Sequence, residues 1–214
     1  MLKRIETALM TMERPSQFFV SLAMQERAPL AALYDLIGVE QNHKYHPEGD
    51  AFVHTMMVVD EAAAVRDQAE RPFAFMLAAL THDLGKKPST KFNEEKGTWQ
   101  AIGHERTGRG IVRRMLNTLG ADEETVDYCV NMCAMHMRVH TCFYGKAGTK
   151  ATNRLFRESV CPQDLVLLSL CDSRGKGTPT EDTIPEETYI TDRLKKYMAS
   201  CAAREDGGET HADI

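Results

Sequence analysis

A histidine and an aspartate lie next to each other, as His82 and Asp83, at the end of an apolar segment that begins at Phe73. An ionised aspartate beside an imidazole in apolar surroundings is costly unless a cation, an ion pair or hydrogen bonds compensate its charge. A divalent metal ion compensates that charge while using both side chains as ligands. His54 lies upstream and Asp172 downstream, so we expect nitrogen and oxygen ligands from three helices to converge on one metal site.

A ligand set of imidazole and carboxylate groups suits Mn, Fe, Co, Ni or Zn, with Mg as a further candidate. The absence of a cysteine from the set argues against a closed structural zinc site. His104 and His136 lie in the sequence between Asp83 and Asp172. They fit either a second metal position or a substrate phosphate, so the sequence predicts one or two divalent ions and leaves the number open.

Two cations accompany the aspartates, since Lys86 follows Asp83 and Arg174 follows Asp172. Both suit anionic phosphate oxygens, Arg as a planar fork and Lys as a point charge, and the alternative is that both are ordinary exposed cations. A metal supplies a nucleophilic water, and Asp83 is suited to hold the metal with one oxygen and the water with the other. We predict Asp83, His82, Lys86 and Arg174 as catalytic residues, and Lys86, Arg174, His104 and His136 as substrate-binding residues.

Three other side chains invite competing interpretations. His140 lies four residues after His136, on the same helix face, and we expect it to cap the end of its helix rather than to contact substrate. His46 precedes a proline, and we expect it to order a turn. Trp99, the only tryptophan, either stacks on a nucleobase or anchors local packing.

The charge of the chain is distributed unevenly. The formal net charge is −5, from 26 Lys and Arg against 31 Asp and Glu, yet residues 86–176 contain 15 cations and 10 carboxylates. A basic middle segment suits an anionic ligand, the alternative being a solvated helix face. The negative total argues against strong binding of duplex nucleic acid.

The elements that position these residues are predicted to be helices. Alternating β-branched runs are scarce, whereas Ala, Leu and Met recur at helical spacing, which predicts an all-α fold. Asp50 is a suitable N-cap for a long helix. We expect loops at 86–102, 143–152 and 178–191, and helical segments at 18–36 (broken near Pro29), 51–68, 73–83, 103–119, 122–140, 162–173 and 192–203.

The length of 214 residues corresponds to about one domain. We assign residues 1–14 to an N-terminal helix or extension, 15–177 to a single helical domain, 178–203 to an acidic linker and a C-terminal helix, and 204–214 to a disordered tail. Neither a signal peptide nor an apolar run of about 20 residues is present. Six cysteines without a CxxC pair indicate reduced thiols. We therefore expect a cytoplasmic protein with no membrane partner.

Taken together, these motifs resemble the HD-domain phosphohydrolases, and most closely the HD domain of bacterial CCA-adding tRNA nucleotidyltransferases (multifunctional CCA proteins). The resemblance implies an all-α HD-domain bundle in which His54, His82, Asp83 and Asp172 bind metal. His104 and His136 match positions that complete a second site in two-metal members. The similarity covers about residues 15–177, and the matching stretches are 37–41, 45–50, 54–60, 79–86, 103–105, 136 and 171–175.

The resemblance also implies a reaction. It predicts a metal-dependent hydrolase of nucleotide or RNA 3′-end phosphate esters, acting as a phosphatase, 2′-nucleotidase or 2′,3′-cyclic nucleotide phosphodiesterase. Nothing before residue 15 resembles the nucleotidyltransferase head, so we do not expect CCA addition. The alternatives are a nucleoside triphosphate or polyphosphate-nucleotide hydrolase, and a catalytically silent nucleotide- or RNA-binding module. The sequence indicates neither the oligomeric state nor the physiological substrate.

Overall fold

The most apolar helix of the chain forms the centre of the fold. In the computed structural model, which describes residues 1–177 and 183–206, every side chain of this helix from Ala74 to Thr81 is buried. Its neighbours enclose it on several sides, because a helix that is apolar all round must be covered all round. The prediction of an all-α fold is confirmed.

Eleven α-helices are present in the described part of the chain, and short 3-10 turns link several of them. In chain order they are α1 (Leu2–Thr11), α2 (Ser16–Ser21), α3 (Ala31–Tyr34), α4 (Ala51–Val65), α5 (Pro72–Thr81), α6 (Lys86–Ser89), α7 (His104–Leu119), α8 (Glu123–Tyr144), α9 (Thr149–Glu158), α10 (Pro162–Arg174) and α11 (Thr183–Asp206). Helix α5 packs against α1, α4, α8 and α10, and α7 lies along α8.

Local sequence signals explain where the central helices begin. Asp50 caps α4 as predicted, accepting a hydrogen bond from the Val53 amide at 2.9 Å. Asp122 caps α8 in the same way through the Thr125 amide. Pro162 opens α10 at a position where its missing N–H costs nothing. These signals fix the ends of the helices that meet at the centre.

The structure corrects several expected loops and helices. The region 18–36 is divided into α2, short 3-10 turns and α3 rather than one broken helix. The loop expected at 143–152 is shorter, because α8 continues to Tyr144 and α9 begins at Thr149, burying Leu155 and Phe156. The loop expected at 86–102 contains α6 and two antiparallel strands, β1 (Lys91–Asn93) and β2 (Thr98–Gln100).

The C-terminal helix is longer than predicted. Helix α11 begins at Thr183 rather than at 192, and its first turns bury Glu186 and Ile190. It continues to Asp206, past the start of the tail expected to be disordered. The remainder of that tail, 207–214, and the part of the expected acidic linker at 178–182 lie outside the described residues. No helix of the described ranges has the length and apolar character needed to cross a membrane.

Candidate metal centre

Four side chains predicted as metal ligands meet at the end of the central helix. His54 extends from α4, His82 and Asp83 follow the last residue of α5, and Asp172 extends from α10. All four are buried. Nε2 of His54 lies 3.0 Å from Oδ1 of Asp172 and 3.6 Å from Oδ2 of Asp83. Their role as ligands remains a prediction, but the fold brings the four groups into one cluster.

Glycines allow the helices to approach closely enough for this convergence. A Cβ at Gly85 would lie 2.0 Å from the His104 carbonyl oxygen and 2.6 Å from the Gly108 nitrogen. A Cβ at Gly175 would lie 2.5 Å from Cγ2 of Val58, on α4. Any larger residue would push these backbones apart. One glycine follows each aspartate of the cluster, and each sets a helix spacing.

His104 and His136 form a second group on the other side of Asp83. Oδ1 of Asp83 lies 3.1 Å from Nε2 of His104 and 3.7 Å from Nε2 of His136, and the two ring nitrogens are 3.2 Å apart. Oδ2 of the same carboxylate faces His82 at 3.2 Å. Three sets of potential ligand atoms lie within a span of 4.8 Å each in the described residues. Two of them contain the predicted ligands, His54, His82 and Asp172 in one and Asp83, His104 and His136 in the other, and the third is His46, Glu48 and His54.

Three of the four histidines have a hydrogen-bond partner at the outer ring nitrogen, and the fourth, His54, has a carboxylate at ion-pair distance without hydrogen-bond geometry. In three of them Nδ1 faces a backbone carbonyl three residues earlier, which can only accept a hydrogen bond, so Nδ1 carries a proton. In the neutral ring Nε2 then has the lone pair that a metal requires. The three contacts are His82 to Ala79 at 2.9 Å, His104 to Ala101 at 2.8 Å and His136 to Cys133 at 2.7 Å. Nδ1 of His54 instead lies 2.8 Å from Oε1 of Glu48. Metal-binding histidines are typically oriented by such outer partners.

An unpaired buried nitrogen shows that the residues fit a metal ion. Nε2 of His82 is buried and has no hydrogen-bond partner within the described ranges, although Oδ2 of Asp83 is 3.2 Å away. Burying a polar atom without a partner is costly, and coordination of a cation would satisfy it. The surrounding donors are imidazole nitrogens and carboxylate oxygens without a thiolate, which fits Mn, Fe, Co, Ni or Zn.

The charges of the cluster link proton binding to metal binding. Burial opposes ionisation of Asp83, but the charges of His82 and Lys86 outweigh it and hold the pKa of Asp83 well below its usual range. Burial likewise opposes protonation of His82, yet the charge of Asp83 raises the pKa of this ring. Burial lowers the pKa of His136 to about 3, aided by the charges of His82 and His104. Metal binding at His82 therefore competes with protonation of this ring.

The two predicted phosphate-binding cations differ in their surroundings. Nζ of Lys86 lies 2.6 Å from Oδ2 of Asp83 and donates a hydrogen bond to Gln41 at 2.6 Å, so its charge sits inside the cluster. The guanidinium of Arg174 instead donates two hydrogen bonds to Glu187 of α11, at 2.8 and 3.1 Å. Substrate contact by either residue remains a prediction, and the structure joins only Lys86 directly to Asp83.

His140 does not cap its helix, contrary to the expectation from sequence. It is buried, and its ring lies between Asp172 and Glu186. His46 contacts Glu48 at 2.8 Å, and its ring centre lies 4.8 Å from that of His54, so it belongs to the edge of the cluster as well as to a turn. The four-residue spacing from His136 was an available signal for His140. Sequence reasoning also missed Gln41, Glu48 and Glu186.

Comparison with known proteins identifies the family. The family model described as "HD domain" matches residues 51–173, more than half of the chain. This chain belongs to the HD domain family. The family is generally one of metal-dependent phosphohydrolases, and the match covers all four predicted metal ligands as well as His104 and His136. The resemblance found from the sequence motifs is confirmed.

Curated relatives of this HD domain are named multifunctional CCA proteins. The protein from Mannheimia succiniciproducens is 31% identical over 163 residues, which is 74% of this chain and 38% of the relative. The protein from Pasteurella multocida is 30% identical over 185 residues, 82% of this chain and 43% of the relative. That from Actinobacillus pleuropneumoniae serotype 5b is 33% identical over 172 residues, 77% and 40% respectively. The HD domain chain thus spans about four-tenths of the length of these relatives.

Proposed function

We propose that this HD domain protein hydrolyses phosphate esters of nucleotides with the help of one or two divalent metal ions. The observation that carries the proposal is the buried cluster in which the Nε2 atoms of four histidines surround the carboxylates of Asp83 and Asp172. Buried carboxylates and unpaired imidazole nitrogens are costly as a purely structural arrangement. They are well suited to a catalytic metal centre that keeps room for a water and a substrate oxygen.

In the proposed reaction a water oxygen bonds to phosphorus while the ester P–O bond breaks, and one of the two protons of that water reaches the leaving oxygen. When bound, a divalent metal supplies Lewis-acid polarisation and a nucleophilic water at neutral pH. Asp83 is suited to serve both groups of ligands, since its two oxygens face opposite sides. Lys86 holds a positive charge where phosphoryl oxygens need neutralising. The low pKa of His136 favours a neutral, ligating ring over a proton donor.

The aromatic pair of the hairpin supports a nucleotide as the substrate. Phe92 and Trp99 are cross-strand partners whose ring centres lie 5.2 Å apart, and Phe92 is 48% exposed. The hairpin connects Lys86 to His104, and both of these side chains contact Asp83. The His104 ring also contacts the carbonyl of Ala101, which directly follows β2. In this proposal the nucleobase of a bound nucleotide stacks on the aromatic pair.

Within this class we propose the reactions that the CCA-protein resemblance implies: removal of a terminal phosphate, hydrolysis of a 2′-nucleotide, and opening of a 2′,3′-cyclic phosphate. An RNA 3′ end is a substrate of the same chemistry. The relatives' names and the match of the HD domain support this proposal, together with the basic segment 86–176. Cytoplasmic location belongs to the same proposal.

Turnover of a defined panel tests the proposed function. Metal-free protein is assayed with p-nitrophenyl phosphate, 2′-AMP, 3′-AMP, 2′,3′-cyclic AMP and ATP after addition of Mn, Ni, Co, Mg or Zn. We expect hydrolysis of the 2′- and cyclic phosphates, lowered more than about 100-fold by Asp83→Ala because even the outer partners of metal ligands are worth 10–100-fold. Asp67→Ala, at an exposed aspartate, is the matched control and retains activity.

The alternative functions predict different results in the same panel of substrates. A preference for ATP over the other nucleotides would replace the proposed substrate with a triphosphate. Absence of turnover with every ion, together with nucleotide binding that survives Asp83→Ala, would identify a silent binding module. Since Trp99 is the only tryptophan, quenching of its fluorescence by 2′-AMP but not by inorganic phosphate would report a stacked base directly.

A further inference from the structure

A carboxylate of the C-terminal helix reaches the centre of the molecule. Glu186, in the first turn of α11, is buried, and its Oε1 lies 2.5 Å from Nδ1 of His140. Its second oxygen accepts a hydrogen bond from the Ser173 hydroxyl at 3.3 Å. The HD domain match ends at residue 173, so Glu186 comes from a part of the chain that the family model does not include.

His140 transmits this contact to Asp172. Its Nε2 lies 3.0 Å from Oδ2 of Asp172, and the other oxygen of that carboxylate, Oδ1, lies 3.0 Å from His54. Because both partners of the His140 ring are carboxylate oxygens, both ring nitrogens donate hydrogen bonds. The ring therefore holds Oδ2 of Asp172 and leaves Oδ1 directed at the other ligands.

A glutamate also lies at Nδ1 of a histidine on the opposite side of the cluster, 2.8 Å away but without hydrogen-bond geometry. There Glu48 lies at Nδ1 of His54, whose Nε2 faces Asp172. The remaining histidines of the cluster use backbone carbonyls in this position. A carboxylate partner fixes a ring more strongly than a carbonyl does, since the hydrogen bond is charge-assisted. Asp172 therefore lies between two histidines that each have a glutamate near Nδ1, and the glutamate is hydrogen-bonded at His140 only.

We propose that Glu186 and His140 are positioning residues that fix Asp172 for metal binding, and that α11 is therefore a working part of the metal centre. The inference rests on the proposed function, because it assigns Asp172 to a metal. Without the charge of Glu186 the His140 ring is free to turn, and Asp172 loses the donor that holds Oδ2. The expected consequence is weaker binding of the metal with little change in the fold.

Contacts other than Glu186 hold α11 in place. Ile190 is fully buried, and the Tyr189 hydroxyl donates a hydrogen bond to the Ala147 carbonyl at 2.7 Å. Arg174 and Glu187 join α10 to α11 at the surface. These contacts remain when Glu186 is changed, so a conservative substitution tests the positioning of Asp172 rather than the docking of the helix.

Adjacent glutamates provide a matched pair of variants, Glu186→Gln and Glu187→Gln, in the full-length chain. Affinity for Co²⁺ and Zn²⁺ is measured by competition with a chelator, and the visible spectrum of bound Co²⁺ reports ligand geometry. We expect Glu186→Gln to weaken metal affinity 10–100-fold, as found for outer partners of metal ligands, and to change the Co²⁺ spectrum. Glu187→Gln is expected to stay within twofold of the unmodified protein.

The outcomes separate this inference from the proposed function. Unchanged affinity and an unchanged spectrum in Glu186→Gln, with metal bound normally by the unmodified protein, would overturn the role of Glu186 alone. Failure of the unmodified protein to bind metal would overturn the proposed function. If thermal unfolding shows that Glu186→Gln does not fold, His140→Gln is measured in its place, and the same loss of affinity is expected.

Discussion

Helix α10 contains two buried aspartates, one near each end, and they have different partners. Asp164 accepts hydrogen bonds from the backbone amides of Glu70 and Arg71, at 2.8 and 3.3 Å, and from the Tyr128 hydroxyl at 2.6 Å. Asp172 faces imidazole nitrogens instead, His54 and His140. Both carboxylates are almost fully inaccessible.

The difference between the two ends shows that burial of a charge does not by itself identify a functional site. Amide and hydroxyl groups donate to Asp164 and complete its hydrogen bonding, and burial together with this aspartate raises the pKa of Tyr128. Asp164 therefore joins α10, α8 and the start of α5. An imidazole is able either to donate a proton or to bind a metal. The partners of Asp172 therefore allow a metal ion to replace a proton, whereas the amide and hydroxyl partners of Asp164 do not.

The substitution Asp172→Asn is expected to have the largest effect, and it tests whether Asp172, unlike Asp164, binds metal. It removes a proposed metal ligand, and we expect metal affinity to fall more than about 100-fold, exceeding the loss typical of an outer partner. Competition with a chelator measures the affinity. If metal affinity stays within a few-fold of that of the unmodified protein, Asp172 is not a metal ligand, and both Asp164 and Asp172 have a structural role.

The same change at the other end, Asp164→Asn, is expected to affect stability instead. An amide replaces one acceptor oxygen by a donor that faces other donors, so at least one hydrogen bond to a charged group is lost, at a cost of about 2 kcal/mol. Urea denaturation of the metal-free protein measures this cost. Metal affinity of the folded variant should remain unchanged. A loss of affinity equal to that of Asp172→Asn would abolish the distinction.

The pH dependence of stability in the metal-free protein is a smaller effect that distinguishes the two ends. Burial opposes protonation of His140, but hydrogen bonds to Asp172 and Glu186 outweigh it and raise its pKa to about 9. A raised folded-state pKa stabilises the fold below the unfolded value of about 6.5, and this stabilisation is lost as pH rises through 9. The melting temperature should therefore fall between pH 6.5 and 9.

At acid pH, His136 makes folding stability fall as the pH falls, because its pKa of about 3 in the folded protein lies below the unfolded value. The contribution of His136 to folding stability is present above about pH 6.5 and is lost as the pH falls toward 3. Melting curves across this range should show an optimum near pH 6.5. Asp172→Asn should flatten the alkaline arm, and Asp164→Asn should preserve it. An alkaline arm unchanged by Asp172→Asn would contradict the assignment to His140.

Much of the site was predictable because its groups lie at recognisable local positions. The cap at Asp50 and the apolar helix before His82 have local sequence signals. Asp172 was predicted from its order after His54 and the His82–Asp83 pair and from the family resemblance, and the fold brings these three side chains and Asp172 together. Asp164 has no such signal, since an acidic residue in the first turn of a helix is ordinarily a surface group that complements the helix dipole.

Contacts between distant segments explain what the sequence did not reveal. His140 and Glu186 are 46 residues apart, and no periodicity relates them. Helix α9 was missed because Gly145 and Gly148 indicate a loop, whereas burial of Leu155 and Phe156 stabilises the helix that follows. Tertiary packing outweighs local propensity in such segments.

The central claim is that the buried cluster binds metal in exchange for protons. Calorimetric titration of the metal-free protein with Zn²⁺ or Mn²⁺ at pH 7, in two buffers of different ionisation enthalpy, tests it most directly. We expect saturable binding of at least one equivalent with release of protons, because the raised pKa of His82 favours protonation of a ring that must be neutral to bind metal. We also expect loss of this binding in Asp172→Asn. Absence of saturable binding, or binding that is unchanged in Asp172→Asn, would contradict the claim.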